Sequence, residues 1–394
     1  MATQARYSSG LIGLGSRVFA GREPEWGTAA TADSSTGGLF NYNIFPQPGS
    51  RPQKNFSAIE IPQLFPGMFR IKPISGRTTV TGSYTFALPK ENLGSFLSLI
   101  TGDTDSTGGI YTVQELNDVS WTIIQTVGET QALRYTGMKA NSMTFAVSAD
   151  SLVTFDIDFM GKDENFIKRF DATGINLLKE WFKYPTGETD TAELPFDIDN
   201  TTERITGINS AFTGGQETQK FDKFVDLYTS NEAVLTVTTT ADTTVGDSSV
   251  TGSLDAATDN GKKSIIPFSD LSITVNNNLD FPPYVNGTAN PNEPVATGYR
   301  EVTGSMTVPY NSHTDDFITG LFDRTQYKAR LKFVSGSKSV QLEMPNFCLT
   351  GDGGLSNIPE GEITLPVTFG VYADIDSSNY FTSTNALTFT VVES

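Results

Sequence analysis

The chain of 394 residues contains a single cysteine, Cys348, and a single histidine, His313. One cysteine excludes an intrachain disulfide, and a zinc site would have to do without cysteine pairs and histidine clusters. No run of about 18 apolar residues occurs, and the N-terminal stretch lacks the apolar core of a secretion signal. We therefore expect a protein without disulfide, metal, cofactor or membrane span, made in the cytoplasm.

Charged residues are also scarce, and the basic ones are the scarcer kind. The sequence has 27 Lys and Arg against 45 Asp and Glu, which gives a formal net charge of −18. A surface that grips nucleic acid needs clustered Lys and Arg, so that function is not expected. What is abundant is Thr, Ser, Gly, Asn and Phe, a composition that favours short strands and turns over helical bundles.

Residues that could perform catalysis are few and poorly placed. His313, in NSHTDD, is the only histidine available for a Ser-His-Asp relay, and a histidine near a helix start is usually solvated. Asp156 and Asp158 alternate with apolar residues in FDIDF, which is typical of the outward face of a strand rather than of an acid/base pair. We do not expect an enzyme.

The most informative feature is a stretch of sequence that occurs twice in the chain. GRTTVTGSYTFALPKENLGSFLSLITG begins at Gly76, and GYREVTGSMTVPYNSHTDDFITGLFD begins 222 positions later. Each copy carries Val-Thr-Gly-Ser around Gly82 or Gly304, then alternating apolar residues, then an apolar helical stripe that includes Phe96 or Phe317. The repeat predicts a strand that leads into a helix of about three turns, made twice.

Similar strands flank both copies and suggest domain boundaries. We match FSAIEIPQLF from Phe56 with FSDLSITVNN from Phe268, an offset of 212, so the second copy has a strand connection ten residues longer. SLVTFDIDFMG in the first copy is expected to turn Leu152 and Phe155 inward. The resulting division is an N-terminal arm (1–55), a first module (56–163), a linker, arm or surface decoration (164–263) and a second module (264–394).

Three segments together resemble the tail tube proteins of long-tailed bacteriophages. They are REPEWGTAATAD in the N-terminal arm, the pair GRTTVTGSYTFAL and GYREVTGSMTVPY, and DSLVTFDIDFMGKD. The resemblance implies a mainly β (α+β) fold of two tandem β-sandwich modules, each flanked by a short α-helix. It also implies that sheets of neighbouring subunits join into the inner β-barrel of a ring, and that rings stack into a tube that conducts DNA.

The resemblance also implies partners and a location. The partners are other copies of the chain, stacked rings, and the tape-measure protein and passing DNA, which the lumen does not bind specifically; the location is the virion tail. If a ring needs six modules, as the family's rings do, three chains form a pseudo-sixfold trimer, and a hexamer of whole chains is the alternative. The acidic residues that we expect in the lumen are Glu60, Asp156, Asp158, Glu301 and Glu362.

Two other functions remain open at this stage. A baseplate or tail-tip hub protein uses the same fold, sometimes duplicated, but forms a single ring instead of a tube. An unrelated β-rich adhesion protein is a more distant alternative, because such proteins normally carry a secretion signal.

Overall fold

The computed structural model describes residues 18–29, 42–44, 51–59, 74–90, 93–102, 109–112, 119–127, 131–168, 197–199, 204–207, 227–239, 263–284, 287–310, 326–351, 363–372 and 388–392. Most of these residues lie in antiparallel strands, and they include one α-helix and one short 3-10 helix, Ser230–Glu232. The predicted mainly β class is therefore confirmed. Seventeen of the strands join into one continuous hydrogen-bonded sheet.

The elements, in chain order, are as follows. They are β1 (Val18–Arg22), β2 (Tyr42–Ile44), β3 (Gln53–Ile59), β4 (Ile74–Ala87), α1 (Gly94–Thr101), β5 (Ile110–Thr112), β6 (Trp121–Val127), β7 (Gln131–Ser148), β8 (Thr154–Gly161), β9 (Asp163–Lys168), β10 (Asp197–Asp199), β11 (Arg204–Gly207), β12 (Ala233–Thr239), β13 (Lys263–Ile265), β14 (Asp270–Asn276), β15 (Leu279–Asp280), β16 (Val295–Ala296), β17 (Glu301–Pro309), β18 (Gln326–Ser335), β19 (Lys338–Leu349), β20 (Thr364–Tyr372) and β21 (Thr388–Val392).

The first half of the chain folds as two layers that share one long strand. β3, β4, β8 and the second half of β7 form one layer, and β2, β1, β6, the first half of β7 and β9 form the other. Apolar side chains of the two layers face each other, and the Tyr84 hydroxyl donates to Gln125 Oε1 across the gap at 2.7 Å. This arrangement is a β-sandwich.

The second half repeats this pairing pattern strand for strand. β14, β17, β20 and the end of β19 correspond to β3, β4, β8 and the end of β7, while β18 pairs with β19 as β6 pairs with β7. Even the irregularities agree: the β6–β7 ladder shifts register between Trp121 and Ile123, and the β18–β19 ladder shifts between Tyr327 and Ala329, 206 positions later in both cases.

The middle of the chain supplies the outer strands of the second half. β12 pairs with β18 and β13 pairs with β12, in the places that β1 and β2 occupy beside β6 in the first half. The described residues 227–239 and 263–265 therefore correspond to strands of the N-terminal arm. Tyr228, which is fully buried, connects the halves because its backbone bonds Leu88 and Val153 while its ring packs on Phe333.

The two halves share one sheet and one core. β14 pairs antiparallel with β7, with Asn276 opposite Ser142 and Asp270 opposite Ser148, so the inner layers run on without a break. β5 of the first half pairs with the C-terminal strand β21, and the Phe145 and Phe389 rings lie 5.9 Å apart inside that corner. Within the described residues the inner sheet of one chain is open rather than closed into a barrel.

Strand register corrects the predicted connection lengths. Thr81 lies opposite Gln53 and Thr303 lies opposite Thr274, so β14 follows β3 by 221 positions and not by 212. Phe56 and Phe268 are therefore not equivalent, and the prediction of a connection ten residues longer in the second copy is wrong. The sequence alignment relied on the Phe-Ser dipeptide that both segments contain. Two identical residues define the register of a strand less firmly than a ladder of backbone hydrogen bonds does.

Three local predictions also need correction. Leu152 precedes β8 and is 44% exposed, while its neighbour Val153 is buried in its place. β3 is exposed along most of its length, Ile59 included, whereas β14, with which we matched this segment, is half buried. α1 has eight residues, hence just over two turns, and ends at Gly102, whose φ of 78° is the usual left-handed helix stop. The predicted second helix, with Phe317, lies outside the described residues.

Candidate functional site

The inner sheet has one polar face that crosses both halves of the chain. Burial alternates along β8, β14, β17 and β20, so every second side chain points away from the core. Residues opposite each other in a ladder share a face, and the registers therefore extend this surface from β4 through β8, β7, β14 and β17 to β20.

We call this surface the polar face. Its members are short polar side chains, carboxylates and two small apolar residues: Ser83 and Thr85 on β4; Thr154, Asp156 and Asp158 on β8; Ser142, Thr144, Ala146 and Ser148 on β7; Asp270, Ser272, Thr274 and Asn276 on β14; Glu301, Thr303, Ser305 and Thr307 on β17; Thr364, Pro366 and Thr368 on β20. The Thr144 and Thr274 hydroxyls bond each other at 2.9 Å across the joint between the halves.

The polar face carries charge of one sign only. Asp156, Asp158, Asp270 and Glu301 lie on it, and none of the members named above is Lys or Arg. The same side of the sheet also carries Lys139, opposite Met160, but its side chain is buried and paired with Glu293 of the β14–β17 connection. Burial raises the pKa of Asp158, and the charge of Asp156 adds to this, while a hydrogen bond with Asn141 opposes it. The face is therefore acidic and rich in hydroxyl groups, and it offers phosphate no cationic partner.

The structure places three of the five carboxylates that we expected in a lumen on the polar face. Asp156 and Asp158 project from β8, and Glu301 begins β17, where it is exposed. Glu60 and Glu362 lie outside the described residues, as does His313. Asp270 was missed, although its alternation with Ser272 and Thr274 in SDLSITVN is a signal that could have found it.

The two repeat glycines are needed for different reasons. Gly82 has a φ of 142°, and a side chain there would approach the backbone of Arg51 and Pro52 at 2.8 Å. At Gly304 an added Cβ would overlap the ring of Phe369, which lies directly opposite on β20. Phe159 holds the matching place opposite Gly82. The Phe96 position lies in α1, as the sequence predicted.

The REPEWGTA segment is organised around a buried carboxylate. Glu23 is 3% exposed, and its Oε2 accepts from Gly27 N and Ser120 Oγ, both at 2.7 Å. Its Oε1 accepts from Thr122 Oγ1 and Gly137 N, both at 2.8 Å. One side chain thus fixes the turn after β1 to β6 and β7, which explains why the segment needs Glu at this position.

The aromatic residue of that segment secures the same corner. Trp26 Nε1 donates to Gly137 O at 3.1 Å, and Lys162 Nζ lies 4.8 Å from the centre of the indole ring. Gly137 has a φ of 67°, and a Cβ there would meet both the Lys162 stem and the indole. The segment therefore sets the point at which β7 passes from one layer to the other.

The connection between β14 and β17 crosses onto the first half of the chain. Glu293 pairs with Lys139, whose side chain is 4% exposed, and Leu279 N donates to Asn141 Oδ1 at 2.8 Å. Ala289 O accepts from Thr78 N at 2.8 Å. This hairpin therefore packs on the neighbouring repeat and does not extend freely into solvent.

The described residues hold no cluster of three or more potential metal ligands from His, Cys, Asp and Glu. The helix that the structure describes there is too short to cross a membrane. The candidate functional site in this part of the chain is thus the polar face.

Comparison with known protein families matches residues 13–373 to the family described as phage tail tube protein. No curated protein matches the chain. The family match spans almost the whole sequence and includes both repeats, the joint between them and the Glu23 corner. The chain is therefore a structural component of the virion tail and belongs to the phage tail tube protein family.

Proposed function

We propose that copies of this chain close into rings, that the rings stack into the tail tube, and that the polar face lines the channel through which DNA is ejected into the host. In this proposal the chain's role is structural and not enzymatic. The observation that carries it is the polar face, which continues through the β7–β14 joint with four carboxylates and without Lys or Arg.

The charge of this face suits a conduit. Cationic contacts to phosphates would release counterions and hold DNA with an affinity that rises steeply with each contact. Carboxylates repel phosphates over a screening length of about 8–10 Å at moderate salt, so they keep DNA from resting on the wall. The hydroxyl groups of Thr and Ser leave the wall hydrated. The lumen also accepts the tape-measure protein during assembly in this proposal, without a specific binding site.

The repeat supports a ring of three chains. Each chain supplies two modules side by side in one sheet. The described part of that sheet has two open edges, one at β3 and one at the end of β19, which lies next to β20. Joining such edges removes unpaired backbone groups, which is the usual reason for sheets to associate. Three chains then provide six modules in a pseudo-sixfold ring, and six whole chains are the alternative stoichiometry. We place the modules at about 1–163 and 164–394, so that β12 and β13 belong with the second.

Electron microscopy of the purified protein tests this proposal. We expect long tubes in side view and threefold symmetry in averaged end views, with rings of three 42.7-kDa chains. End views that show six whole chains would refute the trimeric ring but leave the tube. Discrete single rings that do not stack would favour a tail-tip hub, and a protein that stays a single chain at all concentrations would refute assembly itself.

A further inference from the structure

The exposed edge of the first half has the features of an interface. β3 pairs with β4 on one side and has no strand on the other side among the described residues. The stem of this hairpin exposes large apolar side chains, with Phe56 66%, Ile59 56% and Ile74 57% exposed. Apolar side chains next to an unpaired strand edge favour association with another strand.

The corresponding strand of the second half shows what such an edge does when it is paired. β14 has β17 on one side and β7 on the other, and Asn277 N donates to Asn141 O at 2.7 Å where this pairing begins. The hairpin that follows β14 then packs on the first half through Glu293 and Ala289. The β14 edge therefore finds its partner within the chain, whereas the β3 edge has none among the residues that the structure describes.

The end of β7, which receives β14 at the internal joint, also has a counterpart in the second half, namely the end of β19. β7 pairs with β6 as far as Met138 and then with β14 on the same side. β19 pairs with β18 as far as Cys348, and beyond that residue the same side carries no strand among the described residues. β20 covers only the opposite side, where Leu349 lies opposite Phe369.

The internal joint fixes a register for this second joint. β19 follows β7 by 209 positions, since Met138 and Phe347 occupy matching places opposite Trp121 and Tyr327. β14 follows β3 by 221 positions, as the ladders with β17 and β4 show. Ser142 lies opposite Asn276, so Gly351 (142 + 209) should lie opposite Asn55 (276 − 221).

We propose that β3 of one copy pairs antiparallel with the end of β19 of a neighbouring copy, with Asn55 opposite Gly351, and that the apolar stem of the β3–β4 hairpin packs on that neighbour. The partner is a second copy of this chain, because this chain carries both halves of the joint. The inference rests on ring formation and adds the contact surface and its register.

The edge is covered by a side chain in the single chain. Glu164 Oε2 accepts from Lys54 N at 2.6 Å, in the place where a neighbouring strand would supply a backbone carbonyl. In the proposed register the next free amide along β3, that of Phe56, donates to Thr350 O. The Glu164 carboxylate must therefore move when the copies join, which limits premature pairing of the edge.

Site-directed cross-linking tests the register in the full-length protein. The variant combines Asn55→Cys and Thr350→Cys with Cys348→Ser, which removes the native thiol next to the joint. The control combines Asn55→Cys and Cys348→Ser with Thr364→Cys, an exposed position at the far end of β20. Both are examined by electron microscopy, treated with a short bismaleimide, and separated on a denaturing gel.

We expect assembled Asn55/Thr350 protein to give covalent dimers and trimers, with no larger product if the ring has three chains, and the control to stay a single band. Rings that form but give no more product than the control would refute the proposed joint while ring formation stands. Absence of rings in the untreated wild type would refute ring formation and the joint with it.

Substitution of the stem provides a second test that does not depend on cysteine chemistry. Phe56→Asp places a charge on a side chain that is exposed in the single chain, so thermal unfolding of the unassembled protein should not change. The concentration required for ring formation should rise at least tenfold, whereas Val392→Asp, at an exposed strand end, should leave it unchanged. Assembly of Phe56→Asp at the wild-type concentration would exclude the stem from the interface.

Discussion

The corner around Glu23 gives the sharpest prediction for stability. Each carboxylate oxygen accepts one backbone amide and one hydroxyl: Gly137 N with Thr122 Oγ1, and Gly27 N with Ser120 Oγ. In Glu23→Gln one oxygen becomes an NH2 group, which donates. A hydroxyl can turn and accept from that group, but a backbone amide cannot, so one buried N–H loses its partner whichever way the amide is oriented.

The expected cost follows from this count. One hydrogen bond to a charged acceptor is lost and one buried donor remains unpaired, which together destabilise the chain by about 2–4 kcal/mol. Glu25→Gln is the matched control, because Glu25 lies two residues away and is exposed, and such surface changes usually stay within about 0.5 kcal/mol.

Urea unfolding at a fixed protein concentration, below that of assembly, measures the difference. Tryptophan fluorescence is a suitable signal since Trp26 bonds Gly137 O beside the substituted group, and Trp121 is buried in β6. A Glu23→Gln midpoint equal to that of Glu25→Gln would show that the four donors do not depend on the carboxylate, and the account of this corner would fail.

Three further predictions concern the inner sheet. Gly304→Ala should destabilise the chain by about 1–3 kcal/mol, because the new methyl group overlaps the ring opposite, and Gly298→Ala, whose Cβ would have ordinary contacts, should cost little in the same urea assay. Asp158→Asn should raise the urea midpoint at pH 7, because a folded-state pKa above the usual value means that the charged carboxylate destabilises the fold. This gain should vanish as the pH falls below about 4, where the carboxyl is protonated in both states. An equal gain at pH 3 would contradict the direction of the pKa shift. The double variant Asp156→Lys/Asp158→Lys should still form tubes, but these tubes should retain short duplex DNA at low salt and release it as the salt concentration rises. Tubes of the control variant Glu25→Lys should not retain DNA. Filter binding measures retention for both variants, and retention that does not depend on salt concentration would argue against phosphate contacts.

Much of the repeated core could be predicted from the sequence. The two Val-Thr-Gly-Ser strands, the hairpins after Val127 and Ser335, and the inward face of Met143, Phe145 and Val147 follow from alternation and turn residues. The carboxylates on β8 were found for the same reason, since a period of two assigns every second residue to the other face.

The joints between the repeats could not be predicted in this way. Alternation indicates which face a residue takes, but not which strand lies beside it, and the β7–β14 pairing joins residues 122 to 134 positions apart. β12 shows the difficulty most clearly: the alternation of Leu235 and Val237 with threonine is typical of a strand, whereas its place beside β18 depends on a ladder that leaves no local pattern. The structural role of Glu23 could not be predicted because three of its four donors, Ser120, Thr122 and Gly137, come from distant parts of the chain.

Fusion of two repeats allows the two joints to differ in chemistry. At the internal joint, Asn277 is buried and its Nδ2 donates to Ala140 O at 2.9 Å. This side chain is covered when the chain folds and stays covered in the folded chain. The corresponding position at the open edge is Phe56 (277 − 221), which is exposed in the single chain and, in the proposed ring, becomes covered by a second copy. An amide at this place would exchange hydrogen bonds with water for hydrogen bonds with protein at little net gain, whereas an aromatic side chain gains by burial alone. On the proposed assembly, the net charge of −18 keeps unassembled chains apart in solution, so the exposed apolar stem is tolerated until strand pairing aligns it with its partner.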